Sequence, residues 1–123
     1  MNIALWIVQI VLAVVFILHG LQMISPPASL AERPAMSYIF AISPGWRRLL
    51  GVLEILAGVG LVLPWLLNIL PWLTPLAALG LVLVMIGAIV MHIPRREYPN
   101  IVFNLVLLIL AAFVAYGRFV LVA

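Results

Sequence analysis

The segment Ile55 to Pro94, ILAGVGLVLPWLLNILPWLTPLAALGLVLVMIGAIVMHIP, runs for 40 residues without an Asp, Glu, Lys or Arg. A single bilayer crossing takes about 20 apolar residues, so the segment is too long for one helix and fits two with a turn between them. Pro64, Pro71 and Pro75 supply that turn, because proline lacks the N–H that a helix interior needs. Working outward, Met1 to Ala31 and Tyr98 to Gly117 also lack charged side chains. Of the 123 residues 68% are hydrophobic and 7% charged, against about 25% charged in an ordinary soluble domain. Such faces would aggregate in water. The sequence predicts an all-α integral membrane four-helix bundle. It forms a single transmembrane domain, 1–123, with helices at about 2–23, 46–63, 74–93 and 100–121.

The aromatic residues agree with these spans. Trp6, Trp65, Trp72 and Tyr116 fall at one set of helix ends, and Tyr38, Trp46 and Tyr98 at or beyond the other, as an aromatic belt at two interfaces requires. Four crossings put both termini and the 64–74 turn on one side, and loops 24–45 and 94–99 on the other. Arg33, Arg47, Arg48, Arg95 and Arg96 lie on the loop side and Arg118 on the terminal side. The positive-inside rule makes the loops cytoplasmic and the termini external. It also accounts for the net charge of +3 without a nucleic-acid partner. The first apolar run is a span rather than a signal peptide, since no basic residue precedes it and it extends for about 22 residues. With no cysteine, this chain holds no disulfide, thiolate nucleophile or iron–sulfur cluster.

Pro26, Pro27 and Pro34 keep the first loop from forming a long helix. The run Tyr38 to Ile42 reads either as a lid over the helix ends or as an apolar linker wetted by lipid. Gly51, Gly58 and Gly60 in the second span, Gly80, Gly87 and Ala88 in the third, and Ala111 and Ala115 in the fourth mark expected packing faces, because small residues let backbones approach in lipid.

Polar side chains within the spans are few: Gln9, His19, Gln22, Glu54, His92, Asn100 and Asn104. His19 and Gln22 lie near the loop-side end of the first helix, His92 near that of the third, and Asn100 and Asn104 near that of the fourth. Glu54 lies about 12 Å inside the second. An intramembrane carboxylate costs a few kcal/mol and normally faces the bundle interior or a wet cavity. Gly51, Glu54 and Gly58 share one helical face, so the carboxyl group sits on the packing side. Glu54 is therefore read as the centre of a proton or ligand site with His92, His19 and Asn104, and with Gln22 and Asn100 as secondary members. The competing reading is structural, a carboxylate paired with Arg47, Arg48 or a histidine. Two histidines and a glutamate on different helices, with no paired ligand motif, do not make a metal or haem site.

Phe16 to Ile24 followed by Pro26-Pro27, Gly51-Val52-Leu53-Glu54, the span end at His92, and the run Arg96-Glu97-Tyr98-Pro99-Asn100-Ile101-Val102-Phe103-Asn104 together resemble the DoxX-like family of small four-helix bacterial membrane proteins. The resemblance covers nearly the whole chain. It implies a multi-pass protein of the bacterial inner membrane, with some relatives described as small subunits of thiosulfate:quinone oxidoreductase or as partners in membrane redox complexes. Glu54, His92 and Asn104 occupy positions of the family pattern. The family's first helix often ends Gly-x-x-Lys, whereas here Gly20-Leu21-Gln22-Met23 puts methionine in the lysine place. That departure argues against carrying over an anion or sulfur-substrate site.

The resemblance thus implies an accessory or quinone-facing subunit of a membrane redox system. Without a cofactor motif, electron transfer would need a partner protein or a bound quinone. One alternative is a small proton-coupled transporter, against which the five-to-one arginine bias speaks. The other is a membrane scaffold or assembly factor with no chemistry of its own. In each case the lipid bilayer is the surrounding partner, and oligomerisation is left open.

Overall fold

The turn inside the 40-residue run falls at Asn68 to Trp72, where Asn68 (φ 53°) and Leu70 (φ 47°) adopt left-handed backbone conformations. The structure is a computed structural model that describes residues 1–121; the expected external C-terminus at Ala123 lies outside them. Helix α1 spans Asn2–Ile24, α2 Pro44–Gly60, α3 Leu63–Leu67, α4 Leu73–His92 and α5 Tyr98–Tyr116, and a π-helical turn, Gly117–Leu121, follows. Two short 3₁₀ turns, Ala28–Glu32 and Ser37–Ala41, lie in the first loop. The described residues form an all-α bundle. Four stretches in it are long and apolar enough to cross a membrane: Asn2–Ile24, Pro44–Leu67, Leu73–His92 and Tyr98–Val120.

The second crossing extends beyond the 46–63 expected. Pro64 does not end it but sits in the first turn of α3, a position where a missing N–H costs nothing. The joint between α2 and α3 instead frees backbone carbonyls that neighbouring helices satisfy. Residue 64 cannot donate to the oxygen of Gly60, and the Thr74 hydroxyl does so at 2.8 Å. Gln9 Nε2 donates to the Leu61 oxygen at 2.6 Å. The same logic operates at the end of α1. Pro27, four residues after Met23, has no N–H to offer, and Arg47 Nε donates to the Met23 oxygen at 2.7 Å. Arg47 is thus committed to a helix end rather than to Glu54.

Packing divides the bundle into two close pairs, α1 with α2 and α4 with α5, which face each other less intimately. The first pair meets through glycine. A Cβ on Gly20 would lie 2.6 Å from the Gly51 oxygen, and a Cβ on Gly51 would lie 2.6 Å from the Gly20 oxygen. Gly58 likewise packs against Ile17 and Ala13. Gly80 and Gly87 depart from the expectation. A Cβ on either would meet nothing within 4 Å, so these glycines mark no packing face within the chain.

Leu12, Phe16, Leu81, Met85, Leu107 and Ala111 form the centre of the apolar core. A second cluster closes the loop end, where Tyr38 and Ile39 are buried with Met23 and Leu30. Asn100 Nδ2 ties the same loop down by donating to the Ala35 oxygen at 2.8 Å. Of the two readings of Tyr38 to Ile42, the lid describes the structure.

Candidate functional site

Glu54 lies ten residues into α2, about 15 Å along its axis, and is buried. The glycine contact one turn away brings α1 so close that His19 Nδ1 and Glu54 Oε1 stand 2.7 Å apart. The other ring nitrogen, Nε2, is 2.5 Å from the Tyr38 hydroxyl. Both nitrogens are therefore engaged, and the chain has two complete bonding patterns. With Glu54 ionised, Nδ1–H donates to the carboxylate and the Tyr38 O–H donates to Nε2. With Glu54 protonated, its O–H donates to Nδ1 and Nε2–H donates to the phenol oxygen. The second pattern holds one more proton and leaves the Tyr38 O–H free to donate elsewhere.

Tyr38 is also the link to His92. The two rings meet edge to face with centroids 4.8 Å apart. His92 is buried, and its Nδ1 donates to Glu97 Oε1 at 2.8 Å, an oxygen that also accepts from Arg95 Nε at 2.8 Å. Burial and the nearby carboxyl groups of Glu54 and Glu97 push the Tyr38 phenol well above its ordinary value of 10.0, so it stays a neutral donor. Burial pushes the Glu97 carboxyl up, but the hydrogen bonds from His92 and Arg95 outweigh it and hold the group below its ordinary 4.5.

Two clefts flank this chain, one in each gap between the helix pairs. The larger, about 480 Å³, lies between α2 and α4 and is lined by His19, Tyr38, Glu54, Met91, His92 and Asn104 among others. The smaller, about 250 Å³, lies between α1 and α5, with His19, Tyr38, Asn100, Phe103 and Asn104 in its wall. His19, Tyr38, Met85 and Asn104 border both. Asn104 is buried, and its Nδ2 has no hydrogen-bond partner among the described residues. An unmet donor of this kind is uncommon and costs about 1–3 kcal/mol.

The structure brings together Glu54, His19, His92 and Asn104 from four helices. Asn100 reaches the smaller cleft and the lid, whereas Gln22 lines neither cleft. Tyr38 and Glu97 are members that the sequence reading assigned to an interface and a loop. The signal for Glu97 is faint: Arg96, at φ 53°, reverses the chain so that Glu97 folds back onto His92. Among the described residues no three His, Asp or Glu side chains converge as metal ligands would.

Fold and site together define a small multi-pass membrane protein with a chain of hydrogen-bonded polar side chains in an apolar bundle. The model of the DoxX-like family matches residues 7–114, and the chain belongs to that family. No curated protein and no solved structure matches it.

Proposed function

We propose that this protein binds a lipophilic molecule with a polar ring head group, a quinone being the class that fits, and serves as an accessory subunit of a membrane redox system. The observation that carries the reading is Asn104. Its unmet N–H stands beside two clefts whose common wall also holds the Tyr38 hydroxyl. A ring carbonyl is the complement of such donors, and the mostly apolar cleft walls suit a hydrocarbon tail. A bound quinone would supply redox chemistry that this chain's side chains lack. The chain's own residues would bind and orient it through Asn104 and Tyr38 and hold one proton at Glu54, relayed by His19. A proton arriving at Nε2 of His19 releases the Nδ1 proton to Glu54, so transfer needs no movement of the helices. We place the protein in a bacterial inner membrane, with the arginine-rich loops cytoplasmic.

The test is purification in a mild detergent or native lipid discs, followed by an absorption spectrum and mass spectrometry of the extracted small molecules. A short-chain benzoquinone added to stripped protein should bind saturably to wild type and weakly to Asn104→Leu. No saturable binding to wild type would favour the scaffold reading, and equal binding to both would remove Asn104 from the site.

A further inference from the structure

At the end of the bundle opposite the lid, Arg118 is enclosed, with 1% of its surface exposed. Its Nε donates to Gln9 Oε1 at 2.7 Å and its Nη1 to Asn2 Oδ1 at 2.8 Å. The guanidinium carbon lies 4.5 Å from the centroid of the Trp65 ring and 5.5 Å from that of Trp6. Gln9 is itself fixed by the bond to the Leu61 oxygen left free at the α2–α3 joint, so its carbonyl is aimed at the arginine. The third nitrogen, Nη2, is buried without a partner among the described residues.

Every one of these partners is neutral. The only acidic side chains of the sequence, Glu32, Glu54 and Glu97, belong to the lid end or its cleft and form no ion pair with Arg118. Arginine stays protonated in proteins, and a buried charge without a counter-charge is strongly unfavourable. Among the described residues no counter-charge faces it. The two indoles, each partly exposed, place the group at the depth of an aromatic belt, where lipid headgroups lie.

We infer that Arg118 is the anchor of an anion site for a phosphate group at the membrane surface on the Met1 side. One phosphate oxygen accepts from Nη2 once the side chains that enclose it move aside, and the neutral Gln9 and Asn2 hold the guanidinium fork in place. This chemistry is shared by an anionic lipid headgroup and by free phosphate. The site is separate from the Glu54 cleft and does not depend on what that cleft binds.

The experiment uses the full chain in a neutral sugar-headgroup detergent. Phosphatidylglycerol, or inorganic phosphate against chloride at matched ionic strength, is titrated while Tm and lipid adducts in native mass spectrometry are followed. A rise in Tm that saturates at one phosphatidylglycerol per chain supports the site with a lipid as its source. The same saturable rise with inorganic phosphate supports it with a free ion as its source. In Arg118→Gln the affinity should fall by about tenfold or more, the loss expected for one charge-assisted hydrogen bond. If that variant does not fold, the wild-type titration decides alone. Absence of a saturable rise in both titrations, or an equal rise in a folded Arg118→Gln, overturns the inference.

Discussion

Gly20 and Gly51 touch backbone to backbone, each standing where a Cβ on the other would lie 2.6 Å from its carbonyl oxygen. His19, next to Gly20, and Glu54, three residues after Gly51, owe their 2.7 Å hydrogen bond to that contact. A larger residue at either glycine would push α1 from α2 and lengthen the bond beyond its useful range.

Gly20→Ala and Gly51→Ala should therefore each destabilise the protein by about 1–3 kcal/mol, the usual cost of overpacking a filled interior. Gly80→Ala is the control. Its added methyl meets nothing within 4 Å, and alanine is the better helix former by about 0.5–1 kcal/mol, so this variant should be neutral or slightly more stable. Thermal unfolding in one detergent compares the three. Equal destabilisation by all of them would refute the close contact.

Glu54→Gln keeps the shape of the carboxyl group and removes its titration. We expect a folded protein with little change in Tm, since the amide can still hydrogen-bond His19, but with the pH dependence of ligand binding abolished. Adding His92→Gln to it should cost no more than Glu54→Gln alone if the groups act as one unit. Should Tm collapse while binding per folded molecule is unchanged, Glu54 is structural.

Acid should loosen the loop that carries Glu97. Because His92 and Arg95 hold this carboxyl below its ordinary value, it binds a proton less readily folded than unfolded. Its contribution is complete above the ordinary carboxylate range and is lost as pH falls through the lowered value. Wild type should accordingly exceed Glu97→Gln in Tm near neutral pH, and the gap should close as pH falls through the lowered value. A gap that persists or widens in acid contradicts the hydrogen bonds described.

Much of the bundle is legible in the sequence because charge is so costly in lipid that its absence outlines every crossing. The site is half legible for the same reason: Glu54 can hardly be in the membrane by accident. Other features depend on geometry that hydropathy does not carry. Tyr38 reads as one more interfacial aromatic until the lid folds it onto His19. Arg47 reads as a partner for Glu54, yet it serves the Met23 carbonyl that Pro27 leaves free. Gly80 and Gly87 read as packing glycines, although composition cannot say whether the neighbouring surface is protein or not.

Orientation has a direct test, because the chain has no native cysteine. Ser29→Cys in the lid loop and Ile69→Cys in the turn between the second and third crossings are both at exposed positions on opposite ends. In intact cells an impermeant maleimide should label the cysteine at 69 and spare the one at 29. The reverse pattern would invert the topology argued from the arginines.

Asn104→Leu separates a ligand site from a structural one by the sign of its effects. Leucine keeps the branched heavy-atom skeleton of asparagine, is bulkier on the side facing the clefts, and carries no donor, so the substitution removes an unmet N–H from a buried position. If nothing binds there, that donor is only a cost, and relieving it should raise the stability of ligand-free protein by about 1–3 kcal/mol. If the amide donates to a ligand, the same change should also weaken binding by about tenfold or more, as loss of a buried hydrogen bond does. The expected outcome is both together: a ligand-free protein that unfolds at higher temperature and a ligand that stabilises it far less than it stabilises wild type. The pair of measurements is thermal unfolding with and without a short-chain benzoquinone, on protein stripped of endogenous small molecules. A variant less stable than wild type in the ligand-free state would mean that the amide already has a partner inside the bundle, and the cleft would lose its strongest claim to a ligand.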